Sequence, residues 1–238
     1  MTNFPLDAQD SNADLAEAAL HARVMQRCQR SYAHELRNSL QGIYTGFDVL
    51  TRMLDGKTSA RLPPDKAGAV VRKSIVNHEH SLEEIRKHLT LQNDEPESVR
   101  IDEMLNAVAS FLNNDASSRE IQLDARSEAL TVWARPSKVR LALLSLLTEG
   151  IDAMTDGGDL AMTAASDTHR IVVEFVMTRR KQPWPEQPAW QAGGESRDWT
   201  LQTLSRMALR DDGTLETSSA GLMRRVRLRY RVATAPER

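Results

Sequence analysis

The residues best suited to chemistry stand together in SYAHELRNSLQGIYTG, positions 31–46, which holds His34, Glu35, Arg37, Asn38, Gln41 and Thr45. A neutral imidazole is nucleophilic at physiological pH, and a neighbouring carboxylate can hold its tautomer and stabilise positive charge on the ring. In a helix, Asn38 lies one turn beyond His34 on the same face, where its amide can hydrogen-bond a water or a phosphoryl oxygen. Gln41 and Thr45 extend that polar strip, and Glu35 lies ~100° round the axis. The plain alternative is a solvated helix face. No metal centre is expected elsewhere: His78 and His80 are two residues apart, on different faces of a helix, and His88 has no evident partner.

Positioning such a histidine requires a long helix. From about Asp14 the pattern turns helical, and Leu36, Leu40, Ile43, Phe47, Leu50 and Leu54 are spaced 4-3-4-3-4, a seam on one face. His34 lies ~200° from Leu36 and so faces away from the seam. Met25, Cys28 and Tyr32 continue the stripe with a shift of phase. Gly56 ends the helix, Pro63-Pro64 opens the next, and Val71, Ile75, His78, Leu82, Ile85 and Leu89 repeat the same spacing. The spacing predicts an antiparallel helical hairpin over residues 14–92, preceded by a polar, frayed tail at 1–13. One hairpin has too little partner surface to bury both seams, so pairing of two copies into a four-helix bundle, a homodimer, is expected.

The polar stretch 93–97 reads as a linker, and residues 98–238 as a second, α+β module. Residues 101–112 and 136–154 have helical patterns. Short strands are expected at 121–123, 130–133, 159–165, 171–177, 214–218 and 223–232, with a helix at 199–209. In the last strand Val226, Leu228, Tyr230 and Val232 alternate with four arginines, which reads as a solvated face blunting a sheet edge. Residues 179–197 form a long loop in which Trp184 and Trp190 could anchor a partner or fill a cleft.

Composition bounds the class. Apolar residues make up 40% and charged residues 27%, an ordinary soluble mixture, and a net charge of −2 does not point to nucleic acid. Cys28 is the only cysteine, so no internal disulfide is possible. The first 20 residues carry Asp7, Asp10, Asp14 and Glu17 without a lysine or arginine, unlike a secretory signal, and no run approaches a membrane span. A cytoplasmic protein without membrane or nucleic-acid partners is expected.

AHELRNSLQGI resembles the H-box of the sensor histidine kinases, matching its usual form at His34, Glu35, Leu36, Arg37, Asn38 and Leu40, with Ser39 in place of proline. That family places the H-box on a dimeric helical hairpin. The resemblance implies that His34 is the phosphoacceptor, Glu35 its acid/base partner, and Asn38 the residue that positions a phosphoryl group or a water, with Arg37, Gln41 and Thr45 in support. A proline at position 39 would bend the helix, so a straighter helix is expected here.

VRLALLSLLTEGIDAMTDGGDLAMTA resembles the N-box region of the same kinases' ATP-binding domain, with Glu149 and Ser145 where asparagines are usual. By that resemblance Glu149 and Asp152 mark a relic nucleotide site. The Asp-x-Gly-x-Gly box, whose aspartate reads adenine, is missing: residues 169–197 hold no aspartate. Trp199-Thr200-Leu201-Gln202-Thr203 stands where a second glycine-rich box would approach the phosphates, and Gly193-Gly194 is at most its remnant. Fold signals survive while nucleotide chemistry does not.

The expectation is therefore a degenerate kinase-type ATPase α/β sandwich behind a phosphotransfer hairpin. It would act as a histidine phosphotransferase, moving phosphoryl groups between response-regulator receiver aspartates through His34, and also as a receiver phosphatase. No cofactor is expected in this chain. ATP is not expected to bind, and Mg²⁺ would come with the receiver. Partners are receiver domains, a second copy and a hybrid histidine kinase. Two alternatives compete: an ATP-dependent kinase with a divergent pocket, since glutamate can ligate magnesium, and a non-catalytic scaffold that binds a kinase or response regulator.

Overall fold

The structure, a computed structural model, describes residues 6–55, 64–89, 95–184, 195–210 and 213–231. The elements in chain order are α1 (Leu6–Leu54), α2 (Pro64–Leu89), β1 (Glu97–Arg100), α3 (Ile101–Ser117), β2 (Ile121–Ser127), β3 (Thr131–Ala134), α4 (Pro136–Ala153), β4 (Gly158–Asp167), β5 (Arg170–Arg179), α5 (Glu195–Arg210), β6 (Thr214–Ala220) and β7 (Met223–Arg231). The fold is mixed α and β, as expected. Helix α1 starts at Leu6, so most of the stretch expected as a frayed tail is helical. No proline or glycine interrupts the chain between Leu6 and Gln41.

The chain divides into two compact units. One is Gln29–Thr90; the other combines Met1–Cys28 with Leu91–Arg238. The sequence reads residues 14–28 as hairpin, but their contacts are with the second module. Leu20, Val24 and Cys28 are buried at a spacing of four. This stripe belongs to the larger unit, whereas Leu36 and the seam residues after it belong to the smaller one.

In the smaller unit, two glycines of α1 face α2. A Cβ at Gly46 would lie 2.6 Å from Val71 Cγ2, and one at Gly42 would lie 3.2 Å from Ser74 Oγ. Val71 is buried. The expected seam is only partly inside this contact. Leu36, Ile43, Leu50 and His78 are half-buried, whereas Leu40, Phe47, Ile75 and Leu82 are exposed. The glycines let the backbones approach at Val71 and Ser74, and Leu40, Phe47, Ile75 and Leu82 are left outside this contact. The side chains of Leu54, Ile85 and Leu89 lie outside the described residues.

The larger unit is built on a five-stranded sheet of order β2-β4-β5-β7-β6, in which β2 pairs parallel with β4 and all other pairs are antiparallel. A two-stranded ribbon, β1 with β3, stands beside it. The sequence reads Glu97 as linker, but it pairs with Ala134 in β1. Alternation fixes the buried face: Leu160 and Met162, Ile171, Val173, Phe175 and Met177, and Val226, Leu228 and Tyr230 all point inward. Against it pack the apolar sides of α3 and α4, among them Leu105, Val108, Leu112, Leu143, Leu147 and Ile151. A Cβ at Gly150 would meet Met177 Sδ at 2.9 Å and Leu160 Cδ1 at 3.0 Å, so glycine sets how closely α4 crosses β4 and β5. The Gly157-Gly158 turn then enters β4. Gly158 has φ 145°, and a side chain there would strike Thr178 O.

The basic face of β7 corrects one expectation. β7 is an interior strand, and the edge is β6. Its arginines face neighbouring carboxylates: Arg225 and Arg227 lie 3.2 and 2.6 Å from Glu174 Oε1 on β5, and Arg229 lies 2.7 Å from Glu216 Oε1 on β6. This is a cross-strand ion-pair ladder.

Candidate functional site

On α1, positions 34 and 38 are one helical turn apart, and the helix runs unbroken through Ser39. Arg37, Asn38, Gln41 and Thr45 are exposed. The side chains of His34, Glu35 and Ser39 lie outside the described residues. The helix thus offers a polar strip of Asn38, Gln41 and Thr45, with spacings of three and four that keep it on one side. Among the described residues no group of histidines, cysteines and carboxylates could hold a metal ion.

The second module holds the residues read as a relic nucleotide site, and each has an in-chain partner. Ser145 is buried and donates its hydroxyl to Leu141 O at 2.7 Å, a bond within its own helix. Glu149 accepts an ion pair from Arg23 at 2.7 Å, and Arg23 Nη1 also donates to Thr200 Oγ1 at 3.1 Å. Asp152 accepts from Arg27 Nε at 2.9 and 2.8 Å and lies 2.9 Å from Arg119 Nη1. Arg27 Nη2 reaches Asp115, which is buried, at 2.7 Å. Burial on its own would make Arg27 easier to deprotonate. Its hydrogen bonds to Asp152 and Asp115 outweigh that and raise it further above the ordinary arginine value.

The end of β5, where the sequence reading expects an Asp-x-Gly-x-Gly box and finds none, is packed with side chains. Trp184 is buried, its amide donates to Gly221 O at 2.8 Å, and the Arg179 guanidinium lies 4.2 Å from its ring centroid. Arg224, fully buried, approaches the same ring at 5.3 Å. Arg179 Nη2 also donates to Ala153 O at the end of α4. Asp156 Oδ2 accepts the amides of Lys181 and Gln182 at 2.9 and 3.1 Å. Partial burial would raise the Asp156 carboxyl, but these amides lower it below the usual carboxylate value. Trp184 is thus an internal packing residue. Trp190 and Gly193-Gly194 lie outside the described residues.

The partners of Glu149 and Asp152 were missed in the sequence. The signal was present: Arg23 and Arg27 are four apart and flank Leu20, Val24 and Cys28, an apolar stripe out of phase with the hairpin seam. Burial makes Cys28 a poor nucleophile. Desolvation pushes its thiol up to about 12 despite Arg27 beside it.

No protein-family model and no curated protein matches the chain. Solved structures do. The nucleotide-free catalytic domain of the histidine kinase ThkA is 14% identical, with a TM-score of 0.51, over 58% of this chain and 98% of that one. Full-length ShkA in complex with AMPPNP is 19% identical, with a TM-score of 0.51, over 90% of this chain and 47% of its own. ThkA in complex with the response regulator TrrA is 12% identical, with a TM-score of 0.50, over 99% of this chain and 70% of its own. Among the described residues no helix is long and apolar enough to cross a membrane. The five-stranded module with its helices on one face has the fold of a histidine-kinase catalytic domain.

Proposed function

We propose that this protein is a histidine phosphotransferase of a two-component phosphorelay. It takes a phosphoryl group from a receiver aspartate onto His34 and passes it to another receiver. In the forward step an imidazole nitrogen attacks phosphorus, the N–P bond forms, the aspartyl O–P bond breaks, and the receiver carboxylate leaves. Glu35 holds the ring's tautomer and Asn38 positions the phosphoryl oxygens. Phosphohistidine and aspartyl phosphate are both energy-rich, so the exchange needs positioning and the receiver's own Mg²⁺ and no ATP. With water in place of imidazole, the same Asn38 would serve a phosphatase.

The observation that carries this reading is the filled end of β5. A kinase-type fold is kept, while Arg179, Trp184 and Arg224 pack where an adenine-reading aspartate is expected. The exposed Leu40, Phe47, Ile75 and Leu82 support pairing of two hairpins into a four-helix bundle, with receivers and a hybrid kinase as the further partners. The test is incubation with phosphorylated receivers in the absence of ATP. Label should appear on the wild-type chain and not on His34→Gln.

The likeness to ShkA bound to AMPPNP favours a second reading, an ATP-dependent kinase with a divergent pocket. Self-labelling of His34 from MgATP would establish it. A scaffold would leave partner signalling unchanged in His34→Gln.

A further inference from the structure

The first part of α1 makes a set of contacts that neither hairpin nor phosphotransfer requires. Along Asp14–Cys28, one side is apolar and buried at Leu20, Val24 and Cys28. Its borders carry charges, each matched on the second module. Arg23 meets Glu149 and Arg27 meets Asp152 and Asp115, as described above. Glu17, itself buried, pairs with Lys138 at the start of α4. Arg210, at the end of α5, lies 2.9 Å from Asp14 and 3.9 Å from Glu17. The signs are segregated along the arm: the acidic residues of its first half, Asp14 and Glu17, face Lys138 and Arg210, and the basic residues of its second half, Arg23 and Arg27, face the carboxylates of α3 and α4. A helix placed there only to cover apolar surface needs no such match. Reversing or shifting it would oppose like charges.

The position matters because of which carboxylates are used. Glu149 stands where the kinases' N-box places its metal-binding asparagine, and Thr200 lies in the segment that replaces their phosphate-approaching glycine box. Arg23 touches both. Its guanidinium is a fixed cation on the side chain that a divalent metal would use, and Arg27 does the same for Asp152.

We propose that the Asp14–Cys28 arm of α1 is the resident ligand of this module. It takes, in cis, the face of α4 on which the kinase fold holds metal and nucleotide. The arm supplies the positive charge that Mg²⁺ would bring and covers the apolar surface that an open cleft would expose. The module is therefore complete without a nucleotide. This inference rests on the assignment of Glu149 to the nucleotide side of the fold. It does not depend on phosphotransfer by His34.

Cys28, the only cysteine, is the last residue of the arm's buried stripe and is fully buried, so its exposure reports the arm's release. The experiment follows N-ethylmaleimide labelling of Cys28 in the full chain at neutral pH, with and without millimolar MgATP. Labelling of the native wild type should be at least about 100-fold slower than of the urea-unfolded chain, since it requires local opening. MgATP should either leave that rate and the Tm unchanged or, where it binds, speed the labelling by displacing the arm. R23A/R27A should speed labelling by about 10-fold or more. Charge exchange guards against simple misfolding: R23E should speed labelling, and R23E/E149R should return it to within about 3-fold of wild type. Three results would overturn the proposal: a rise in Tm with MgATP while Cys28 stays as protected as before, wild-type protection in R23A/R27A, or no rescue by the exchange. None of these readouts involves His34, so a failed phosphotransfer assay and a failed arm are told apart.

Discussion

The guanidinium of Arg27 lies against both carboxylate oxygens of Asp152, with Nε 2.9 and 2.8 Å away, and its Nη2 sits 2.7 Å from Asp115. One side chain from the start of the chain thus joins two helices of a module that begins some 70 residues later.

Truncating Arg27 should be costly. Asp115 has only 3% of its side chain exposed and would keep a single, more distant arginine, Arg119 at 3.9 Å. Breaking a buried pair costs roughly 3–5 kcal/mol, discounted here because Arg27 and Asp152 are partly solvated, to about 2–3 kcal/mol for Arg27→Ala. Thermal unfolding should fall by roughly 4–10 °C for a chain of this size. Arg27→Lys should recover only a small part, since an ammonium cannot reproduce the planar fork that serves two carboxylates.

Gly46→Val should loosen the hairpin. Val71 Cγ2 already stands 2.6 Å from where a Cβ would be, so the two helices must separate. Overpacking of this kind costs about 1–3 kcal/mol. Thermal unfolding should show it, with hydrogen exchange rising in residues 36–50 and 68–82 and not in the strands.

Asp156 sets a pH-dependent anchor for the segment after β5. Its carboxyl is lowered, so its stabilising contribution is complete above the unfolded value of about 3.9 and is lost as pH falls through the lower folded value. Amide chemical shifts of Lys181 and Gln182 should stay constant from neutral pH down to about 4 and move together below it. Asp156→Ala should abolish that joint titration.

Cys28 works in the opposite direction. Its thiol is raised to about 12, so the neutral form is favoured in the fold. That contribution is present below the unfolded value of about 8.5 and is lost as pH rises towards the folded one. Alkaline unfolding of the wild type should begin at lower pH than that of Cys28→Ala, which has no thiol to ionise. Urea midpoints measured from pH 7 to 11 would show the two curves diverging above about 8.5.

Much of this architecture is legible in the residues because local signals agree there. Pro136 at a first turn, the apolar run of α4 and the Gly157-Gly158 turn all point one way, and the alternation of β7 specifies its buried face. Three features are hidden because they depend on distant partners. Gly42 and Gly46, which face α2, carry no hydropathy, so Leu40 and Phe47 look like the core of the hairpin. Residues 20–28 look like more hairpin until Glu149 and Asp152 are brought opposite Arg23 and Arg27. β1 is four residues long and is defined only by pairing with β3. The chemistry of His34 was read from its neighbours in sequence, and the structure adds the exposed strip of Asn38, Gln41 and Thr45 on the same helix.

The proposed phosphotransfer requires that His34 take its phosphoryl group from a receiver and not from ATP. The most direct measurement mixes the purified full chain with a panel of ³²P-labelled receiver domains, with no nucleotide present, and follows label by gel. A parallel reaction supplies labelled MgATP alone. Label should pass from at least one receiver to the wild-type chain and on to a second receiver. His34→Gln should take up none, and MgATP alone should leave the chain unlabelled. Rapid self-labelling of His34 from MgATP, with no uptake from any receiver, would contradict the account.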